Sequence, residues 1–250
     1  MKVFIGYDSR QNEAFQVCKH SMESRSTVPL TIEHLSNGNP LINRPWTIEG
    51  NQRIDSQDRL PFSTDFSFAR FLVPFLMDFK GWAMFVDGDF LFLDDVQELF
   101  KLADETKAVM VVPHDHRPAE TEKMDGVRQT YYERKNWSSL VLWNCGHKAH
   151  RIARKWPSEG GISLERVNTY PGAWLHCFTW LKWAEIGFLP ESWNWLEGHS
   201  PREIIPSAVH YTRGGPWFDE YRDCDYAESW LAERDKMMVQ ENGKRSASSF

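Results

Sequence analysis

The sequence predicts a single α/β domain with a mixed, mainly parallel sheet flanked by helices. Short apolar runs alternate with helical patterns along the chain, and the first three elements are predicted as strand, helix and strand, the order of a parallel crossover. A length of 250 residues suits one large domain. We find no internal repeat and no linker, so we place the domain at residues 1–235 and expect residues 236–250 to form a polar, frayed tail.

Strands are predicted where short runs of apolar and β-branched residues stand between polar segments. These runs are residues 2–6, 30–35, 82–86, 108–112 and 139–143. Helices are predicted where apolar residues recur three or four positions apart, or where a capping box opens the segment. These segments are residues 13–24, 67–79, 94–101 and 173–186. Residues 36–62 are rich in Asn, Gly, Pro and Arg, and we interpret them as a long loop.

Composition excludes several classes of protein. The formal net charge of -6 argues against a general nucleic-acid binder, which would carry a basic stripe. The four cysteines are scattered, which is typical of reduced thiols in a cytoplasmic protein. No apolar run reaches the 18 residues of a transmembrane helix, and no signal-peptide pattern is present, so we expect no membrane span. No pattern indicates an oligomeric state.

The segment Asp87-Gly88-Asp89 follows the apolar run 82–86 directly. In an extended chain both carboxylates point the same way, and at the end of a buried strand they repel each other and lose hydration. Mg²⁺ or Mn²⁺ bridging to a diphosphate would compensate that cost. The ends of parallel strands are also where α/β sheets place ligands. The alternative is an exposed hairpin turn, since Asp-Gly between apolar runs is a strong turn signal.

A second segment near the C-terminus carries complementary groups. His210 offers an imidazole that could be a third ligand for Mn²⁺. Gly214 and Gly215 would let backbone N–H groups approach phosphate oxygens, and Arg213 could clamp a diphosphate. The alternative is a histidine with a structural partner at a strand end, followed by an ordinary turn.

These motifs together resemble glycosyltransferase family 8, which includes glycogenin and bacterial lipooligosaccharide galactosyltransferases. The resemblance covers roughly residues 1–217. It is carried, in order, by Ile5-Gly6-Tyr7-Asp8, Phe68-Ala69-Arg70-Phe71-Leu72, Asp87-Gly88-Asp89, the block from Trp137 to Asn144, Leu189-Pro190 with Trp193-Asn194, and His210-Tyr211-Thr212 with Pro216-Trp217.

The resemblance implies a single GT-A (Rossmann-like) domain that transfers a hexose from a UDP-sugar to a carbohydrate or glycoconjugate acceptor, with retention. It implies that Asp87, Asp89 and His210 bind Mn²⁺ (or Mg²⁺). It also implies that Asp8 contacts the base and Arg70 the donor. From the motifs and the resemblance together, the predicted substrate-binding residues are Tyr7, Asp8, Arg70, Asp87, Gly88, Asn144, Arg213, Gly214, Gly215 and Trp217.

The sequence departs from the family pattern in the segment that faces the reacting carbon and in the C-terminal loop. The family's Asp-Gln-Asp segment has no clear match, and Gly215 stands where a Lys normally precedes Pro-Trp. If transfer inverts the sugar configuration, a general base is required, and we consider His176, Glu165 and Asp115 as candidates.

Two other functions fit parts of the sequence. A haloacid-dehalogenase-like phosphatase also places Asp-x-Asp after a strand and uses the first Asp as nucleophile, although normally near the N-terminus. A non-catalytic carbohydrate-binding protein would explain the twelve tryptophans, eight of which lie between residues 137 and 195. Such modules are usually all-β, whereas this pattern alternates.

Overall fold

A computed structural model describes residues 1–114, 133–151 and 160–247. Its strands are β1 (Lys2–Gly6), β2 (Thr31–Leu35), β3 (Trp46–Glu49), β4 (Gln52–Asp55), β5 (Pro61–Phe62), β6 (Trp82–Val86), β7 (Phe90–Phe92), β8 (Val109–Val111), β9 (Leu140–Asn144), β10 (Ile186–Phe188), β11 (Trp195–Leu196) and β12 (Ala208–His210). Its α-helices are α1 (Asn12–Arg25), α2 (Val73–Leu76), α3 (Val96–Phe100), α4 (Leu164–Thr169), α5 (Gly172–His176) and α6 (Ala227–Ala247).

The main sheet contains six strands in the spatial order β10-β8-β9-β6-β1-β2. β1 pairs in parallel with β2 and β6, and β10 pairs in parallel with β8, whereas β9 runs antiparallel to both of its neighbours. Side chains of β6 alternate between two apolar clusters, one on each face, so this strand is buried on both sides. The predicted mixed, mainly parallel sheet is confirmed.

Residues 46–62, expected to lie within a loop, form a small antiparallel sheet of β3, β4 and β5. The loop prediction is therefore wrong for this part. Glu49 pairs with Gln52 across a two-residue turn of Gly50 and Asn51, and Gly50 has φ 65°. Gly-Asn between strands is a recognised hairpin signal, but the many polar residues around it masked the pattern.

The predicted helix 67–79 is divided in two. Residues Ala69–Leu72 form a 3₁₀ turn, and α2 follows with Pro74 in its first turn. The missing N–H of Pro74 loses no helical hydrogen bond there, because the N–H groups of the first turn have no partner within the helix. α1 lies where residues 13–24 predicted it. The helix predicted from residue 94 begins later, as α3, and its cap is Asp95, which accepts from the Gln97 N–H.

The C-terminal helix α6 extends through Ala247, so most of the predicted polar tail is helical. Buried Glu233 anchors this helix to α1. Its carboxylate is 2.7 Å from His20 Nδ1, accepts from Ser24 Oγ at 3.0 Å and pairs with Arg25 at 2.8 Å.

The limits of the domain, residues 1–235, stay a prediction. In the described part of the chain, no helix is both long and apolar enough to span a bilayer.

Candidate functional site

The Asp87-Gly88-Asp89 segment connects two different sheets. β6 belongs to the main sheet, whereas β7 pairs with β12 in a second small sheet with β11. The backbone N–H of Asp87 donates to the Ser139 carbonyl at 2.8 Å, and the N–H of Tyr211 donates to the Asp89 carbonyl at 3.0 Å. The hairpin interpretation of this motif is therefore wrong, because β6 and β7 do not pair with each other.

Gly88 occupies a place where no side chain fits. A β-carbon at position 88 would lie 2.4 Å from the carbonyl oxygen of Gly6, at the end of β1. The obstacle is backbone, which cannot rotate away as a flexible side chain would. The close approach of the chain after β6 to β1 therefore explains the glycine. Its predicted contact with the donor stays a prediction.

Asp87, Asp89 and His210 meet where the two sheets join. The two aspartates follow β6, and His210 ends β12. One ligand atom from each side chain lies within 4.8 Å of the others. Metal–ligand bonds of roughly 2 Å fit such a spacing after small side-chain adjustments. Across residues 1–114, 133–151 and 160–247, this is the one such cluster of three His, Cys, Asp or Glu side chains.

Asn194 fixes the orientation of the His210 imidazole. Asn194 Nδ2 donates to Ser139 Oγ at 2.9 Å and to the Asn136 carbonyl at 3.3 Å. A carbonyl can only accept, so Asn194 Oδ1 faces His210 Nδ1, 2.9 Å away, and receives its proton. In the neutral imidazole, the lone pair of His210 Nε2 then faces Asp89 Oδ1 at 3.4 Å. Two hydrogen-bond acceptors that face each other need a cation or a proton between them. The imidazole nitrogen and the carboxylate oxygens therefore fit a divalent metal as ligands.

Arg70 supplies positive charge beside the carboxylates. Its guanidinium lies 3.0 Å from Asp87 Oδ1 and donates to the Ser138 carbonyl at 2.8 Å. The guanidinium carbon is 5.3 and 5.1 Å from the ring centres of Phe66 and Phe85. These aromatic rings and the Ser138 carbonyl hold the planar group in place. Arg70 therefore offsets part of the negative charge of the aspartate pair.

The three candidate ligands line a cleft that also includes His176 of α5. His176 Nδ1 is 2.7 Å from the Ser138 hydroxyl. Burial and the nearby charge of Arg70 hold the pKa of His176 well below its ordinary value. The imidazole is therefore neutral near pH 7 and suited to hydrogen bonding in the cleft. Its predicted role as a base stays a prediction.

Tyr7 and Asp8 follow β1, next to the end of β6. The buried Asp8 carboxylate pairs with Arg10 at 2.6 Å and accepts from the Asp65 N–H at 3.1 Å. Burial raises the pKa of Asp8, but the hydrogen bonds and charge of Arg10 outweigh burial and leave the pKa below its ordinary value. Tyr7 packs edge-on against Phe15, with ring centres 5.0 Å apart. Contact of either residue with a base stays a prediction.

Asn144 lies at the opposite end of the main sheet from the candidate ligands. Because β9 is antiparallel to β6, Asn144 pairs with Trp82 at the start of β6, whereas Leu140 pairs with Val86 at its end. Asn144 donates to the Glu105 carbonyl at 3.3 Å. Strand direction, which apolar patterning does not encode, therefore places Asn144 away from the candidate ligands. Its predicted contact with substrate stays a prediction.

The loop after β12 also departs from the expected arrangement. Arg213 pairs with Glu197 at 2.8 Å and lines a separate charged surface cleft. Trp217 packs against Trp230 with ring centres 5.3 Å apart. Of the ten residues predicted to bind substrate, the described lining of the cleft that contains the candidate metal ligands includes Arg70 and Asp87. It does not include the other eight, which are Tyr7, Asp8, Gly88, Asn144, Arg213, Gly214, Gly215 and Trp217. Their donor contacts stay predictions.

Two of the three candidate bases are not in the cleft lining described. Glu165 is exposed on α4. Asp115 lies outside the described residues.

Two features of the site were not predicted from the sequence. One is Asn194 as the partner of His210, although Trp193-Asn194 belongs to the family resemblance. The other is the segment 58–68, much of which lines the cleft.

The chain has the GT-A fold that glycosyltransferases share, as predicted. The bifunctional glycosyltransferase WbbM aligns with 94% of this chain at a TM-score of 0.55 and 14% identity. GlyE of Streptococcus pneumoniae TIGR4 aligns with 98% of this chain at a TM-score of 0.54 and 16% identity. The galactosyltransferase LgtC aligns with 94% of this chain at a TM-score of 0.51 and 12% identity. The alignments span 49% of WbbM, 63% of GlyE and 96% of LgtC.

The chain belongs to the family of Protein CDI of Arabidopsis thaliana. The two sequences are 47% identical over 243 residues, which cover 94% of this chain and 86% of Protein CDI. No family model matches the sequence.

Proposed function

We propose that the protein is a metal-dependent glycosyltransferase that moves a hexose from a UDP-sugar to a carbohydrate-type acceptor. The observation that carries this proposal is the approach of His210 Nε2 to Asp89 Oδ1 at 3.4 Å, with Asn194 directing the imidazole lone pair toward the carboxylate. The cluster stands at the carboxyl end of β6, where α/β sheets place ligands, in a fold that glycosyltransferases share.

Asp87, Asp89 and His210 would hold Mn²⁺ or Mg²⁺. When bound, the cation would neutralise charge on the departing diphosphate. Arg70 holds Asp87 in position and adds a fixed positive charge near the donor. His176, neutral near pH 7, can hydrogen-bond a sugar hydroxyl or a phosphate oxygen.

We propose transfer with retention, which rests on the resemblance to glycosyltransferase family 8. If transfer inverts, His176 is the candidate base that the described cleft offers. We also propose a cytoplasmic location, which the four free cysteines support.

The proposal is tested by thermal unfolding with a panel of nucleotide sugars, each with and without Mn²⁺. A ligand that binds the folded chain raises the Tm by mass action. We expect UDP-sugars to raise the Tm only when Mn²⁺ is present, and Asp89→Ala to abolish the shift. Asp235→Ala, which removes an exposed carboxylate on α6, is the matched control and should keep it.

Three further measurements discriminate the alternatives. Unchanged UDP affinity in Asp89→Ala contradicts the metal site. Hydrolysis of an aryl phosphate without a nucleotide sugar would favour the phosphatase. Sugar binding that requires neither metal nor nucleotide would favour a carbohydrate-binding protein, although the mixed α/β sheet removes the all-β basis for that class.

A further inference from the structure

The cleft has a second group of lining residues that contributes no metal ligand. They come from the turn between β4 and β5 and from β5 itself. We call them the β5 wall, which consists of Asp58, Leu60, Pro61 and Phe62. This wall belongs to the small sheet that is absent from the sequence prediction.

The β5 wall presents an apolar surface that continues out of the cleft. The Phe62 ring packs edge-on against Phe68 inside, at 5.2 Å, and against Trp46 outside, at 6.2 Å. Leu60 and Trp46 are each 42% exposed. Aromatic and aliphatic surfaces of this kind pack well against the C–H faces of sugar rings.

The same wall holds a carboxylate in a fixed position. Asp58 Oδ1 accepts from the Leu60 N–H at 3.0 Å, and Oδ2 accepts from the Gly172 N–H at 2.8 Å. Each carboxylate oxygen has a second lone pair with which it can accept a hydroxyl proton. Gly172 begins α5, which ends at His176, so Asp58 also ties the β5 wall to the rest of the cleft.

We propose that the β5 wall is the acceptor subsite and binds a neutral hexose ring. In this arrangement the apolar face of the ring lies on Leu60 and Phe62, and a hydroxyl donates to Asp58. The inference rests on the proposed function, because a donor on Asp87 and Asp89 leaves the metal-free part of the cleft for the acceptor. An apolar surface beside a fixed carboxylate matches the two chemical features of a sugar, its C–H face and its hydroxyls.

The test measures binding of methyl α- and β-hexopyranosides of glucose, galactose and mannose to the full chain. Saturation-transfer NMR is recorded with and without UDP and Mn²⁺. We expect at least one hexoside to receive saturation mainly on one ring face. Leu60→Ala and Asp58→Asn should each weaken its affinity at least five-fold while the Tm shift by UDP and Mn²⁺ is kept.

Trp183→Ala is the matched control for an exposed hydrophobic side chain. Trp183 is 60% exposed and packs with Trp137 and Phe188, outside the cleft lining described. We expect its hexoside affinity to equal that of the unchanged chain. Loss of binding in Trp183→Ala but not in the β5-wall variants would overturn the proposal and move the sugar to that aromatic patch.

The failures of the two proposals can be told apart. If UDP and Mn²⁺ bind but no hexoside in the panel does, the β5 wall is overturned and the donor site stands. If a hexoside binds and both wall variants weaken it, while UDP and Mn²⁺ never bind, the sugar subsite is upheld and the donor proposal is overturned. Both variants should stay folded, because Leu60 is well exposed and Asp58→Asn preserves the shape of the side chain. Comparing the Tm of each variant with that of the unchanged chain checks this.

Discussion

His210 Nε2 and Asp89 Oδ1 face each other across 3.4 Å. Asn194 accepts the proton of the other imidazole nitrogen, so in the neutral imidazole a lone pair and a carboxylate meet in a buried place. Such an arrangement is stabilised when a cation lies between the two atoms.

The orientation of His210 predicts that Asn194 acts on the metal without touching it. Asn194→Leu should weaken Mn²⁺ binding by about 10- to 100-fold, the usual effect of losing the partner of a ligating histidine. Isothermal titration with Mn²⁺ measures it. Ser139→Ala removes a hydrogen bond to Asn194 but leaves the His210 contact, so its effect should be smaller. Equal affinities in all three proteins would refute the positioning role.

The place of Gly88 against β1 predicts a large loss of stability for Gly88→Ala. The added β-carbon would press on the Gly6 carbonyl, and we expect the free energy of unfolding to fall by about 3 kcal/mol. Chemical denaturation measures it. Gly243→Ala is the control, since a β-carbon at this position in α6 meets nothing within 4 Å. It should be neutral or stabilise the chain by up to about 1 kcal/mol. A neutral Gly88→Ala would contradict the packing.

Buried His150 predicts a loss of stability in acid. Burial lowers its pKa to about 4, whereas an exposed histidine has a pKa of about 6.5. Between these values the unfolded chain binds more protons, so the free energy of unfolding falls as pH falls through this window. From pH 7 to pH 5 this one group should remove about 2 kcal/mol. Denaturant unfolding at both pH values measures the loss, and His150→Gln should reduce it. The same pH slope in the variant would exclude His150 as the cause.

The contacts of Glu233 predict that α6 is an integral part of the fold. Glu233→Ala leaves His20, Ser24 and Arg25 without their shared carboxylate and should cost about 2 kcal/mol. Chemical denaturation of this variant is compared with Asp235→Ala, whose exposed carboxylate pairs with the adjacent Arg234. That control should change stability by less than about 0.5 kcal/mol. Similar values for both would mean that the helix contributes little at this position.

The sequence was sufficient where local patterning decides the structure. β1 and β6 match the predicted bounds, and Asp87, Asp89 and His210 are brought together as predicted. The motif was informative because two carboxylates directly after a buried apolar run repel each other and lose hydration unless a cation compensates.

The remaining errors come from long-range pairing. The distance of Asn144 from the candidate ligands could not be predicted, because apolar runs do not reveal that β9 runs antiparallel. The β5 wall was missed because short strands rich in polar residues resemble loops. Asn194 could be located as part of a motif, but its hydrogen bond to His210 depends on β12 lying beside the segment that contains Asn194.

The most direct test of the central claim is pulsed electron paramagnetic resonance of Mn²⁺ bound to the protein with UDP. If the cation lies among Asp87, Asp89 and His210, the spectrum should contain nitrogen coupling from one imidazole and phosphorus coupling from the diphosphate. The nitrogen coupling should vanish in His210→Gln. Mn²⁺ that binds without nitrogen coupling, or with the same coupling in His210→Gln, would contradict the proposed site.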